Sequence, residues 1–136
     1  MKTATRIQLI NWHYFTNETI PLGEINFLTG ANSAGKSTII DALQVAIMGE
    51  TKSSFFNRAA GKKSERTLRS YLVGTLGDDI SSGVKALRDG KDFSSYIVVE
   101  FYDDVKNEYF CIGFIADVLK RPPLGLVGAA HLHMAF

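Results

Sequence analysis

The chain has 136 residues, a formal net charge of +1, 46% hydrophobic and 21% charged residues, which is the balance of one ordinary globular domain with a real core. A charge so near zero argues for no particular partner, no apolar run is long enough to cross a bilayer, and the first residues lead into a stretch broken by Asn11 and His13 rather than into the core of a signal peptide. Cys111 is the single cysteine, which excludes an internal disulfide, and together these features lead us to expect a cytoplasmic protein.

In chain order, residues 4–12 alternate as a strand, with Ile7 and Leu9 on one face and Arg6, Gln8 and Ile10 on the other. Asn17-Glu18 reads as a turn, followed by a short strand over 19–22 that Pro21 confines to an edge or an end. Residues 24–29, Glu-Ile-Asn-Phe-Leu-Thr, read as a third strand running directly into Gly30. The period then changes. Ile39, Ile40, Leu43, Ala46 and Ile47 fall at helical spacing as one apolar stripe, and Gly49 is a natural stop. A basic stretch follows, within which Ser64 is placed to cap a short helix carrying Leu68, Tyr71 and Leu72. Residues 74–94, rich in Gly, Asp and Ser, are expected to be mostly loop, with one helical turn at Val84-Lys85-Ala86-Leu87. Residues 95–102 and 109–116 are expected to form a hairpin across a polar connection. Residues 118–136 are small, apolar and without clear period after Pro122-Pro123. We divide the chain into a domain over 1–117 and an atypical tail over 118–136, expected to be disordered or related to truncation.

The spacing G-x-x-x-x-G-K-[ST] is met by Gly30, Gly35, Lys36 and Ser37. Each residue type has a chemical reason. The glycines let the backbone curl so that successive N–H groups point at phosphate oxygens. The helix that follows turns its unpaired amides and positive end to the same anion. Lys36 reaches the β- and γ-phosphates as a point charge and stabilises charge there during catalysis. The Ser37 hydroxyl is placed to bind Mg²⁺, and Thr38 adds a hydroxyl near the α-phosphate. The expected nucleotide-binding set is therefore Gly30, Asn32, Ser33, Ala34, Gly35, Lys36, Ser37 and Thr38, with Mg²⁺ and ATP as cofactors. The competing reading is a glycine-rich turn before a core helix. A strand entering the loop and an amphipathic helix leaving it argue against that reading.

Other features carry less. Lys52, Arg58, Lys62, Lys63, Arg66 and Arg69 make a basic stretch opposed only by Glu50 and Glu65. Arg58, Arg66 and Arg69 are candidates for contact with DNA or nucleotide, against the alternative of a solvated surface. Phe55 and Phe56 within it are read as core anchors rather than base-stacking platforms. Two apolar strands end in an acid, at Glu100 and at Asp117, and loosely mimic a metal-binding carboxylate; neither has the second acid a water-activating base requires. His131 and His133 have metal-compatible spacing but no partner ligands.

The run from Gly30 to Leu43 resembles the G-x-N-G-x-G-K-S-x-x-x-D-A segment of the SMC, RecF and SbcC ATPases. Ile7-Gln8-Leu9-Ile10-Asn11-Trp12-His13-Tyr14-Phe15 is similar to the first strand of that superfamily's heads. The Asn11-Trp12 pair resembles the MukB-like and MksB-like condensins and especially the SMC-like subunit of Wadjet plasmid-defence systems, and the run from Phe55 to Ala60 and residues 95–101 look like that last group. The resemblance covers residues 4–117. One departure lies inside the motif: Ser33 stands where the family has glycine, and serine serves there provided the backbone needs no positive φ. The resemblance implies an α/β fold, the N-terminal lobe of a P-loop ATPase head with a partly antiparallel β-subdomain. It also implies partners: a coiled coil, a C-terminal lobe with the signature motif and the catalytic acid, a second head sandwiching ATP, and DNA for the whole protein. The 136 residues contain no heptad region and no match to the signature. Two rivals stay open. One is a small P-loop kinase or transferase whose lid is supplied by the arginines of residues 58–69. The other is a non-catalytic module that binds DNA or a partner.

Overall fold

Alternation in the first strand becomes a two-sided sheet in the computed structural model, which describes residues 1–56, 67–76 and 85–120. Strand β1 spans Lys2–Trp12 and puts Ile7 and Leu9 fully inside, with Arg6 and Gln8 on the outer face. It pairs antiparallel with β2, Phe15–Pro21, on one side and with β5, Phe93–Asp103, on the other; β5 then pairs with β6, Glu108–Val118. The resulting four-stranded sheet has the order β2-β1-β5-β6. Helix α1, Lys36–Met48, lies across β5, β6 and β1 and closes the core. Ile7, Leu9, Ile97, Val99 and Phe114 from the sheet meet Ala42 and Val45 from the helix. Each large apolar side chain sealed there contributes about 1.5–3 kcal/mol relative to exposure.

The hairpin over 93–118 is the clearest agreement with the sequence pattern. Its register runs unbroken from Phe93 opposite Val118 to Asp103 opposite Glu108. Pro21 ends β2, an edge strand, where its missing N–H leaves no ladder position empty. Gly49 ends α1 in the left-handed region, its N–H donating to the Val45 carbonyl at 3.0 Å.

Several expectations are corrected. The turn between the first two strands is at His13-Tyr14, with Trp12 opposite Phe15, not at Asn17-Glu18. Asn17 and Glu18 sit inside the exposed edge strand, where Asn17 accepts a hydrogen bond from the Gln8 amide at 2.8 Å. His13 and Asn11 take positive φ at the turn, and both types tolerate it better than most. Residues 24–29 are not a strand. No described strand lies beside them to take their backbone groups, and Ile25 and Phe27 are 77% and 85% exposed. The stripe expected on α1 is split. Its buried face is Thr38, Asp41, Ala42, Val45 and Ala46, whereas Ile40, Ile47 and Met48 point outward. The sheet selects the face on which small residues permit close approach and Asp41 finds a partner, the Tyr71 hydroxyl.

Helix α2, Leu68–Val73, is capped by Thr67 rather than Ser64, in a reciprocal box in which the Thr67 hydroxyl accepts from the Ser70 amide and the Ser70 hydroxyl from the Thr67 amide. Ser64 lies outside the described residues. Lys85–Ala86 is strand β4, paired with β3, Thr75–Leu76, instead of a helical turn. Val84 lies outside the described residues, as do 121–136 with His131 and His133. Phe56 is an anchor as expected, buried edge-on against Tyr71, but Phe55 is half-exposed. The four-stranded antiparallel sheet, the small β3–β4 pair and the packed helices together fit an α/β fold.

Candidate phosphate-binding site

The loop from Gly30 to Gly35 runs into α1 with a glycine, not a capping side chain, at the helix start. Gly35 is the N-cap at φ 94, so the cap position makes no side-chain bond, and no acid lies in the first turn. The first helical bond runs from the Ile39 amide to the Gly35 carbonyl at 3.0 Å. The amides ahead of it have no intrahelical acceptor, so the positive end of a 13-residue helix faces the loop. Within the loop the Ala34 amide turns back to the Ala31 carbonyl at 3.2 Å.

Lys36 occupies the loop's own concavity. Its ammonium donates to the Gly30 carbonyl at 2.6 Å and the Ala31 carbonyl at 2.7 Å. The two neutral carbonyls engage two of its three donors and do not balance the charge, so an anion entering the loop meets a cation already held there. Ser37 is half-buried beside it, whereas Thr38 is buried on the sheet-facing side of α1. Asn32 and Ala34 are exposed on the loop. Ser33 takes φ 66, so the condition under which serine replaces glycine freely is not met: the backbone here is left-handed. A non-glycine residue in that region costs about 1–2 kcal/mol.

The loop is tied to the sheet by Trp12, whose indole N–H donates to the Thr38 carbonyl at 3.1 Å while its ring stacks on Tyr71 at 4.7 Å. Gly35 is glycine for a second reason. A Cβ there would fall 1.8 Å from the Tyr14 hydroxyl oxygen.

Of the basic candidates, Arg69 is exposed on α2, while Arg58 and Arg66 lie outside the described residues. The two acids that imitate a metal ligand are engaged within the sheet. Glu100 accepts from the Thr5 hydroxyl at 2.7 Å and from the Arg6 guanidinium, which with Thr5 holds its carboxyl below the usual range. Asp117 accepts from the Ser94 hydroxyl at 2.6 Å. Among the described residues no group of three or more His, Cys, Asp or Glu could hold a metal ion. A serine hydroxyl is the kind of oxygen donor that Mg²⁺ takes beside phosphate oxygens, and Ser37 carries one in the first turn of α1.

Sequence reasoning missed Arg88. It is nine-tenths buried, and burial pulls its pKa below the ordinary value. Its guanidinium donates to the Asn11 side-chain oxygen (3.2 Å) and to the carbonyls of His13 (2.7 Å), Leu72 (3.1 Å) and Phe15 (3.1 Å). One side chain thereby joins the β1–β2 hairpin tip to α2. No local pattern marks it, because three of those acceptors lie 73 to 77 residues away in sequence.

Residues 4–63 match the family model described as the P-loop containing region of AAA domain. The match supports a P-loop NTPase. It begins in β1 and takes in the whole phosphate loop and α1, the elements that hold Lys36 and Ser37. P-loop NTPase domains generally bind nucleotide with Mg²⁺, which agrees with the chemistry of the loop. No curated protein matches the chain. Among the described residues no helix is long and apolar enough to cross a membrane.

Proposed function

We propose that the chain binds Mg²⁺-ATP through Gly30–Ser37 as the N-terminal lobe of an SMC-like ATPase head, whose whole protein couples ATP hydrolysis to binding or remodelling of DNA. The observation that carries nucleotide binding is the uncapped start of α1 at Gly35 with the Lys36 ammonium held across the loop. Phosphate would accept from the loop amides and from Lys36, and Ser37 would hold Mg²⁺.

The SMC-like assignment is supported by the resemblance of residues 30–43 and of the Asn11-Trp12 strand. Trp12 and Asp41 both serve at the joint between sheet and phosphate-loop helix, which gives those residues a physical role. On this reading the second lobe supplies the signature and the catalytic carboxylate, a second head completes the site, and Arg58, Arg66 and Arg69 are candidates for contact with DNA or nucleotide. On the same reading the protein works in the cytoplasm. The chain alone should hydrolyse ATP slowly or not at all.

The test is a thermal-shift titration of the 136-residue chain with Mg²⁺-ATP and Mg²⁺-GTP, beside Lys36→Ala. Stabilisation by ATP that the variant loses is the expected result. No shift with either nucleotide would sink the proposal, and phosphoryl transfer from ATP to a small molecule would favour the kinase reading instead.

A further inference from the structure

Tyr14 stands at the tip of the β1–β2 hairpin, and its phenol rests on the phosphate loop. A Cβ built on Gly35 would lie 1.8 Å from the Tyr14 oxygen and 2.9 Å from Cζ, so the hydroxyl is flush against the residue where α1 begins. That hydroxyl is closed off from water and has no hydrogen-bond partner among the described residues. Burial raises its pKa above the ordinary 10.0, so at neutral pH it is a protonated donor. The tip is also held in place. Arg88 grips the carbonyls on both sides of Tyr14, those of His13 and Phe15, and the His13 amide donates to the Tyr71 carbonyl at 2.7 Å.

A buried hydroxyl left unpaired is costly, and natural folds rarely keep one without an occasion to use it. Here the acceptor has to arrive with a ligand. The loop beside Tyr14 is built for phosphate, an anion that only accepts, and a hydrogen bond to a charged acceptor is roughly twice as strong as a neutral one. We propose that Tyr14 is a nucleotide-binding residue whose hydroxyl donates to an oxygen of the bound phosphate chain, adding a side-chain donor to those of the loop amides and Lys36. The inference rests on the phosphate-loop reading of Gly30–Ser37 and assigns a further residue to that site.

The experiment compares wild type, Tyr14→Phe and Lys36→Ala in the full chain, measuring affinity for Mg²⁺-ATP and the melting temperature without ligand. Tyr14→Phe keeps the ring that packs on Phe15 and His13 and removes only the oxygen. We expect the ligand-free melting temperature to hold or rise, because an unpaired buried hydroxyl is gone, while ATP binds roughly ten- to hundredfold more weakly. Unchanged affinity in Tyr14→Phe, with binding lost in Lys36→Ala, would overturn this inference and leave the phosphate loop standing. A weaker affinity accompanied by a lower ligand-free melting temperature would also overturn it, as the mark of a structural role. Absence of binding in the wild type would overturn both.

Discussion

Ser33 shows how one backbone angle alters the reading of a motif. Its N–H is as available to phosphate as that of glycine, but at φ 66 the side chain is held in the region L-residues avoid. Ser33→Gly should relieve that strain, less the extra freedom glycine gives the unfolded chain, for a net gain of about 0.5–1 kcal/mol. A higher urea midpoint with an unchanged slope would be the sign of it. Glu100 offers a test by pH. The Arg6 guanidinium, then the Thr5 hydroxyl, favour its ionised form and lower its folded pKa below the ordinary 4.5. A carboxyl with a depressed folded pKa adds stability above its unfolded value, and that stability is lost as pH falls through the folded value. The melting temperature of Glu100→Gln should therefore lie below that of wild type at pH 7, with the gap closing as both are taken below pH 4.5. A gap that persists unchanged in acid would show that the charge is not what matters.

At the level of elements, the joint between hairpin, α2 and phosphate-loop helix rests on a few long-range bonds. Trp12 reaches the Thr38 carbonyl, Tyr71 reaches Asp41, and Arg88 clasps the hairpin tip to the Leu72 carbonyl. Close approach is part of the design. A Cβ on Gly74, which has φ 70, would come within 2.8 Å of the His13 carbonyl oxygen. Arg88→Met keeps an apolar stem and removes every donor, leaving acceptors of His13, Phe15, Leu72 and Asn11 to find others. We expect a loss of about 2–4 kcal/mol in urea unfolding, and Arg88→Lys should not restore it, since a single ammonium lacks the planar fork. Full stability in Arg88→Met would mean that the backbone contacts of the tip suffice.

Over the whole molecule, the sheet covers one side of α1 and leaves the other to solvent. Ile40, Ile47 and Met48 are exposed there, and Ile25, Phe27 and Leu28 are exposed on the segment that leads to the loop. Apolar surface of this kind favours association. The chain should form concentration-dependent oligomers in sedimentation velocity, and Phe27→Ser with Ile47→Gln should reduce them without lowering the melting temperature. A monomer at high concentration would count against it.

Local pattern alone settled much of this protein. The phosphate loop is a contiguous motif that can be recognised without any distant residue, and the alternation of Ile7 and Leu9 with Arg6 and Gln8 separates the two faces of the first strand, because side chains in a strand alternate wherever it lies. The hairpin over 93–118 was legible for the same reason, and Gly49 because a helix stop is a local backbone event. What local pattern could not supply was anything decided by a neighbour. Residues 24–29 have the composition of a strand, yet a strand exists only where another chain segment takes its hydrogen bonds, and no described strand does. Helix α1 is apolar on more than one side, so only the arriving sheet chose its buried face. The clasp of Arg88 and the Tyr14 hydroxyl, unpaired among the described residues, depend on atoms brought together from distant parts of the chain. Tertiary packing decided them, since burial and angle, unlike residue type, are not properties of a residue by itself.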